Sequence, residues 1–329
     1  FKLARLTNSY FKASFLAERA QARAYDELLR AAKKIKADLY IGHNLGALAV
    51  AVKAAMYHNA KAGFDFEDYH RGEFHLKDKN VRRVVWLENK YLPALSYYST
   101  SSPLIAEAIK NDHKKFAGKT ITLLNCFPLT HQPPFQQKTG KSNTLTLFWF
   151  SQTIGSNRGL ETVIEALKML NDPGIRLILA GRCNNSMSAY LEKNKPALAS
   201  PVQLVGMIQP EKLPAYAAQF DVGIATELNE PQNRNFCLTN KLFTYLLAGN
   251  AILASDTAAQ TQFINEMRNV GFIYERQNAE SLAQKIKWFR DNRAMLMQQR
   301  TNAYAWAQKQ FTWEKESQKL IQVCRSLLS

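Results

Sequence analysis

The sequence predicts an α/β protein of two doubly wound domains facing a cleft. Three observations carry the prediction. Short apolar runs alternate with helical stretches of about 10–15 residues, the pattern of βαβ units on a parallel sheet. The alternation breaks once, over residues 126–143, and then restarts. The chain has 329 residues, enough for two cores of about 150 residues each.

The first half begins with residues 12–36, which read as one long helix with Leu28, Leu29, Ala32 and Ile35 on one face. "ADLYIGHN" (37–44) is a buried strand with a polar end. A helix of small residues (45–60), a strand (63–68), a helix (80–95) and a strand (96–101) follow. Pro103 starts a helix over 103–111, and 120–125 is a strand. "CFPLTHQPPFQQKTGKSN" (126–143) is rich in Pro, Gln, Gly and Ser and reads as an interdomain linker.

The second half carries strands at 144–150, 175–181, 202–206, 221–226, 251–255 and 271–274. Leu160, Val163, Ile164, Leu167 and Leu170 recur at helical spacing within 159–170. Further helices are expected at 211–220, 257–268, 278–293 and 294–309, and a last amphipathic one at 311–328. The expected domains are therefore 1–143, including the linker, and 144–310, with 311–329 as a closing segment.

Composition narrows the function. No run approaches 18 apolar residues, so no transmembrane helix is expected. The N-terminus lacks signal-peptide features. Cys126, Cys183, Cys237 and Cys324 are scattered, which argues against a zinc site or disulfide framework and suits a reducing cytoplasm. The net charge is +16, which suits nucleic acid, an anionic membrane surface or anionic small substrates. The densest basic clusters, "KKIK" (33–36) and "HKK" (113–115), do not interleave with aromatics. Nucleic acid is therefore disfavoured as a partner.

Ligands of doubly wound domains bind at the carboxyl ends of the strands, so the loops after strands are the candidate sites. "SQTIGSNRGLE" after 144–150 offers Gly155, Gly159 and Arg158 ahead of a helix N-terminus, a combination suited to an anion such as diphosphate. It is neither a dinucleotide fingerprint nor a P-loop, and a plain βα turn would use the same glycines. Gly206 ends a strand at the same edge. The 13-residue loop "ELNEPQNRNFCLT" after 221–226 is long enough to be functional. Asn240, preceded by Thr239, is the expected N-cap of the helix "KLFTYLLA", which ends at Gly249. His70 in "EDYHRGE" and His43 at the end of "YIGHN" are the histidines near strand ends. Either could instead be a structural histidine.

In this order, "FSQTIGSNRGLETVIEAL", "IRLILAG", "VQLVGMIQPEKLPAYAAQFDVGIAT" and "NKLFTYLLAGNAILASD" resemble the donor-binding domain of GT-B glycosyltransferases, in particular glycosyltransferase family 4 (glycosyl transferases group 1). The likeness covers 144–329 and extends more loosely to "ADLYIGHN", "GFDFEDYHRGE" and "YYSTSSPLIAEAI". It implies two Rossmann-like domains, the first an acceptor domain. That domain's first strand and glycine-rich loop are not seen, and the chain opens with Phe1, so the domain reads as truncated. The segment 311–329 is similar to the helix that closes this fold and crosses back to the first domain.

The resemblance further implies a hexosyl transfer from a nucleotide-diphosphate sugar to a glycan or lipid-linked acceptor. The transfer would be retaining, independent of metal and without a cofactor. A cytoplasmic location, peripheral to an anionic membrane, goes with it. By residue, Arg158 matches the cation on the donor diphosphate, beside Gly155. Thr239, Asn240 and Lys241 match the helix start that holds the phosphates. Gly206 and Met207 match the turn that meets the base, and His70 matches an acceptor-domain histidine near the transferred sugar. The sequence departs from the family pattern in places. Gln152 stands near a usual arginine, Thr244 stands where a glutamate binds the ribose, and Phe236 stands at the first of the paired glutamates, with Glu227 or Glu230 as substitutes. These departures keep open a second reading, a GT-B-fold protein that binds or scaffolds without transfer.

Overall fold

The computed structural model describes residues 16–75, 78–137 and 144–329. The chain divides into two compact units. The first takes the residues up to Leu124 together with Asn229–Cys237 and Glu316–Ser329, and the second takes Asn125–Leu228 and Leu238–Lys315.

In the first unit, α1 (Ala17–Gln21) and α2 (Tyr25–Lys34) replace the described part of the single helix expected over 12–36; residues 12–15 lie outside the described set. The reason is a shared partner. Lys53 donates to Tyr25 Oη at 2.7 Å and lies 3.4 Å from Glu18 Oε1. Residues seven apart on one helix are separated by about 10 Å along its axis. A break lets both reach the same ammonium, and Ala22 supplies it by turning extended. The chain continues through β1 (Leu39–His43), α3 (Leu45–His58), β2 (Lys61–Phe66), α4 (Lys79–Tyr91), β3 (Tyr97–Thr100), α5 (Pro103–Asp112) and β4 (Lys119–Thr122). The strands form a wholly parallel sheet in the order β1-β2-β3-β4. Asn44 starts α3 by accepting the Gly46 N–H, and Asp78 does the same for α4 at Asn80. Leu48, Phe64, Phe66, Leu87 and Ile105 make the core.

The second unit starts earlier than the sequence suggests. Residues 126–137, expected as linker, are fastened to it: Tyr304 donates to Pro133 O, and its ring meets that of Phe135. Residues 138–143 of the expected linker lie outside the described set. The sheet begins with β5 (Leu145–Ile154), then α6 (Leu160–Leu170), β6 (Ile175–Cys183), α7 (Asn185–Asn194), β7 (Val202–Val205), α8 (Leu213–Ala217) and β8 (Val222–Ala225). The long loop after β8 contains α9 (Gln232–Phe236), which belongs to the first unit. α10 (Asn240–Ala248), β9 (Ala251–Ser255), α11 (Ala258–Glu266), β10 (Gly271–Tyr274), α12 (Ala279–Asp291) and α13 (Arg293–Gln310) complete the second unit. α14 (Trp313–Leu328) ends the chain, and its residues from Glu316 belong to the first unit. There Glu316 accepts the Leu124 N–H at 2.9 Å.

β5 outruns its expected end because it shifts register against β6 between Phe150 and Thr153. A Cβ at Gly181, opposite the shift, would lie 2.1 Å from Ser151 O, so only glycine fits there. α7 escaped the sequence reading because only Met187 and Leu191 of its residues are buried. The sheet is parallel throughout and runs β10-β9-β8-β5-β6-β7. Successive strands build outward in opposite directions from β5 and β8. That reversal makes the carboxyl ends of these two strands the topological switch point, where doubly wound sheets open a ligand crevice.

Candidate functional site

The switch point of the second unit is built from the loops after β5 and β8. Gly159 is the N-cap of α6 with φ +75°, and a Cβ there would meet Thr226 O at 2.6 Å. A side chain at residue 159 would therefore be strained twice, in backbone and in contact. Thr226 holds the two loops together. Its hydroxyl donates to Arg158 O and accepts the Trp149 indole N–H at 2.9 Å. Asn157 takes a left-handed conformation, φ 60°, to complete the turn. Gly155 is buried, with the Asn184 amide 2.7 Å from where a Cβ would stand. The result places the half-buried Arg158 at the N-terminus of an 11-residue helix, and among the described residues its guanidinium makes no ion pair. A free cation beside unpaired amides is an anion-binding arrangement.

The second helix start is α10. Thr239 takes the N-cap position that the sequence reading gave to Asn240, which becomes the exposed first residue of the helix. Among the described residues no side chain caps the first turn, and Thr239 Oγ1 is buried without a partner. The other two candidates here are engaged. Lys241 is 6% exposed; its ammonium meets Glu227 Oε1 at 2.7 Å and lies 5.5 Å from the centre of the Trp149 ring. Burial disfavours each charge alone, and the pair removes most of that penalty. Lys241 thus brings little net charge to the edge. Thr244 is 0% exposed, and its hydroxyl donates to Asn240 O at 2.9 Å, the bond to the preceding turn that threonine makes inside helices.

Gly206 and Met207 follow β7. Nothing lies within 4 Å of a Cβ built at Gly206, and Met207 is exposed. Arg182, at the end of β6 and overlooked in the sequence reading, has its guanidinium 3.9 Å from the Met207 sulfur. Its signal was legible as a cation just past the apolar run "LILAG". Glu230, with the rest of 229–237, belongs to the first unit, where it is exposed and 3.9 Å from His75. That segment is pinned by Asn233, which accepts the Tyr69 N–H at 2.7 Å and donates to Asp68 at 2.6 Å.

In the first unit the two histidines differ sharply. His70 is 3% exposed in a 3-10 turn (His70–Gly72), packed against the rings of Phe64 and Phe66. Its Nδ1 meets Glu73, and its Nε2 is buried without a partner among the described residues. His43 stands exposed at the carboxyl end of β1. It heads one row across three strands: His43 pairs in register with Asp65, and Asp65 with Ser99. The side chains follow the register. His43 Nδ1 is 3.2 Å from Asp65 Oδ2, and Asp65 Oδ1 accepts the Ser99 hydroxyl at 2.7 Å. Glu67 is 3.9 Å from the imidazole. The His43, Asp65 and Glu67 donor atoms lie within 4.8 Å of one another, close enough to share a cation. The His43–Asp65 contact also stands as an ordinary hydrogen bond. Asp65 orients the ring and leaves Nε2 for a second partner.

Known proteins agree with this architecture. Residues 145–292 match the family of Glycosyl transferases group 1. No curated protein sequence matches the chain. The fold is similar to that of Anabaena HepE in complex with UDP, with a TM-score of 0.72 and 19% identity over 93% of this chain and 83% of that one. It is also similar to sucrose-phosphate synthase from Thermosynechococcus elongatus, with a TM-score of 0.74 and 16% identity over 94% and 78% of the two chains. S. aureus TarM is a third, with a TM-score of 0.69 and 13% identity over 91% of this chain and 58% of that one. On the two parallel sheets and these likenesses the chain has the GT-B fold, and its residues 145–292 form a domain of the Glycosyl transferases group 1 family.

Proposed function

We propose that this protein transfers a sugar from a nucleotide-diphosphate donor to a glycan or lipid-linked acceptor, with retention and without a metal ion. The observation that carries the reading is the β5/β8 switch point, where Arg158, at the N-terminus of α6, makes no ion pair among the described residues. Transfer builds negative charge on the departing diphosphate. Arg158, the α6 amides and the uncapped amides at Thr239–Lys241 are suited to stabilising it. The lack of a side chain at Gly155 suits close approach of the phosphates. Gly206 and Met207 are assigned to the base, with Arg182 beside them. HepE has been solved in complex with UDP and with UDP-glucose, which favours a uridine donor among the nucleotides. On the acceptor side, His43 offers an exposed imidazole at the end of β1, and His70, buried against Phe64 and Phe66, is the second candidate. Association with an anionic membrane surface accords with the +16 charge. Among the described residues no helix is long and apolar enough to cross a membrane.

One observation favours the second reading, a binding module without transfer. Lys241 is neutralised by Glu227, and the Thr244 hydroxyl is already bonded within its helix. A panel of UDP-, GDP- and ADP-sugars separates the two readings. Donor binding by thermal shift together with slow release of UDP from one sugar supports the enzyme. Binding with no hydrolysis or transfer to any acceptor supports the module, and no binding to any donor rejects both.

A further inference from the structure

We propose that the corner formed by the ends of α2 and α3 docks this protein on an anionic lipid bilayer. The proposal deepens the membrane-peripheral reading above and gives it a surface. The corner is one compact piece. His58 Nε2 lies 3.0 Å from Lys33 O, tying the end of α3 to that of α2. The Tyr40 ring stacks on His58 at 5.9 Å, and its hydroxyl accepts the Ala37 N–H at 3.1 Å and donates to Ile35 O. The Lys61 N–H closes the corner on Asp38 O at 2.9 Å.

Three large apolar side chains stand out from it. Ile35 is 66% exposed, Met56 72% and Tyr57 63%. One such side chain on a surface is ordinary, whereas three on one corner mark an interaction surface. Lysines ring them. The Lys33 ammonium sits 4.7 Å from the centre of the Tyr57 ring. Lys34, Lys36 and Lys61 are exposed, and among the described residues none of them is paired with a carboxylate. Asp38 is the acidic residue among them, and His58 the other titratable neighbour. Lysine stems lie along apolar surface while their heads reach outward, and a tyrosine sits well where one end is apolar and the other wet. Each lysine near an anionic leaflet adds about fivefold to partition.

The charge pattern decides among occupants. A twofold contact with a second copy would set lysines against lysines. A nucleic acid would find one ring to stack on and no use for Ile35 or Met56. The corner also lies where β1 and β2 begin, at the opposite end of the strands from His43. Docking there leaves the carboxyl edge open.

Flotation tests the proposal, using phosphatidylcholine vesicles and vesicles with about a third phosphatidylglycerol. The protein is expected to float with the anionic vesicles, to be released by high salt, and to stay behind with the neutral ones. Lys34→Glu/Lys36→Glu should lower partition by tenfold or more, and Met56→Ser/Tyr57→Ser by severalfold with the salt response retained. A thermal shift with UDP-glucose, read on the same variants, reports the fold and the donor site separately. Docking and donor binding can therefore fail independently. The proposal is overturned if the wild-type protein does not float, or if the charge-reversed variant floats equally well. It is also overturned if gel filtration shows a dimer that the same variants abolish.

Discussion

The carboxyl edges of the two sheets use polar residues in opposite ways. In the second unit three of the polar side chains at the edge are tied inward: Lys241 to Glu227, Thr244 to Asn240 O, Thr226 to Arg158 O. What they leave for a ligand includes backbone amides and, among the described residues, the guanidinium groups of Arg158 and Arg182, which make no ion pair. In the first unit the edge presents side chains: an exposed imidazole, its aspartate and a second carboxylate. The contrast fits the two tasks proposed for these edges. A diphosphate is the same in every nucleotide sugar and can be held by amides and a helix N-terminus. An acceptor hydroxyl needs a group aimed at it.

The comparison can be broken most forcefully at the inward-tied pair. Glu227→Ala should cost about 3–5 kcal/mol of unfolding free energy, because it strands the buried Lys241 ammonium. Adding Lys241→Met should recover most of the loss. Denaturant unfolding of the single and double variants reads both, and a loss below about 1 kcal/mol would mean that the pair is not the closed element described. At the open edge, His43→Ala should lower turnover about tenfold or more with donor affinity unchanged, as measured by initial rates against acceptor concentration. His70→Ala serves as its contrast, with its principal effect on stability.

A smaller effect concerns acid. Burial alone would raise the Glu18 carboxyl, but hydrogen bonds from Tyr91 and Lys90 and the nearby Lys53 ammonium hold it below its ordinary 4.5. Its folded value is depressed, so its contribution is full above about pH 5 and is lost as the pH falls through that lowered value. Glu18→Gln should therefore flatten the acid limb of the stability curve, and an unchanged limb would remove Glu18 from the account. The smallest effect is expected at Thr244→Val. Its hydroxyl serves its own helix, so donor affinity should change less than twofold in a titration. A tenfold loss would return Thr244 to the ribose.

Much of this was legible in the sequence because strand ends and helix starts are local signals. "SNRG" carried its own turn chemistry, and the structure places its glycine against Thr226. The alternation of short apolar runs foretold both parallel sheets. What escaped was non-local. Nothing near Lys241 announces that Glu227, across a 13-residue loop, will neutralise it. Nor does anything near Glu230 announce that Asn233 and Asp68 hold its segment in the first unit. His70 and His43 looked alike as histidines near strand ends. Packing against Phe64 and Phe66 buried one, and register with Asp65 oriented the other.

The central claim is that the donor diphosphate binds the switch point through Arg158. Calorimetric titration of UDP and UDP-glucose into the wild-type protein and Arg158→Ala tests it directly. Losing a charge-assisted contact of about 1.5–3 kcal/mol should weaken binding roughly tenfold to a hundredfold, with the thermal midpoint of the free protein unchanged. Equal affinity in the two proteins would contradict the claim.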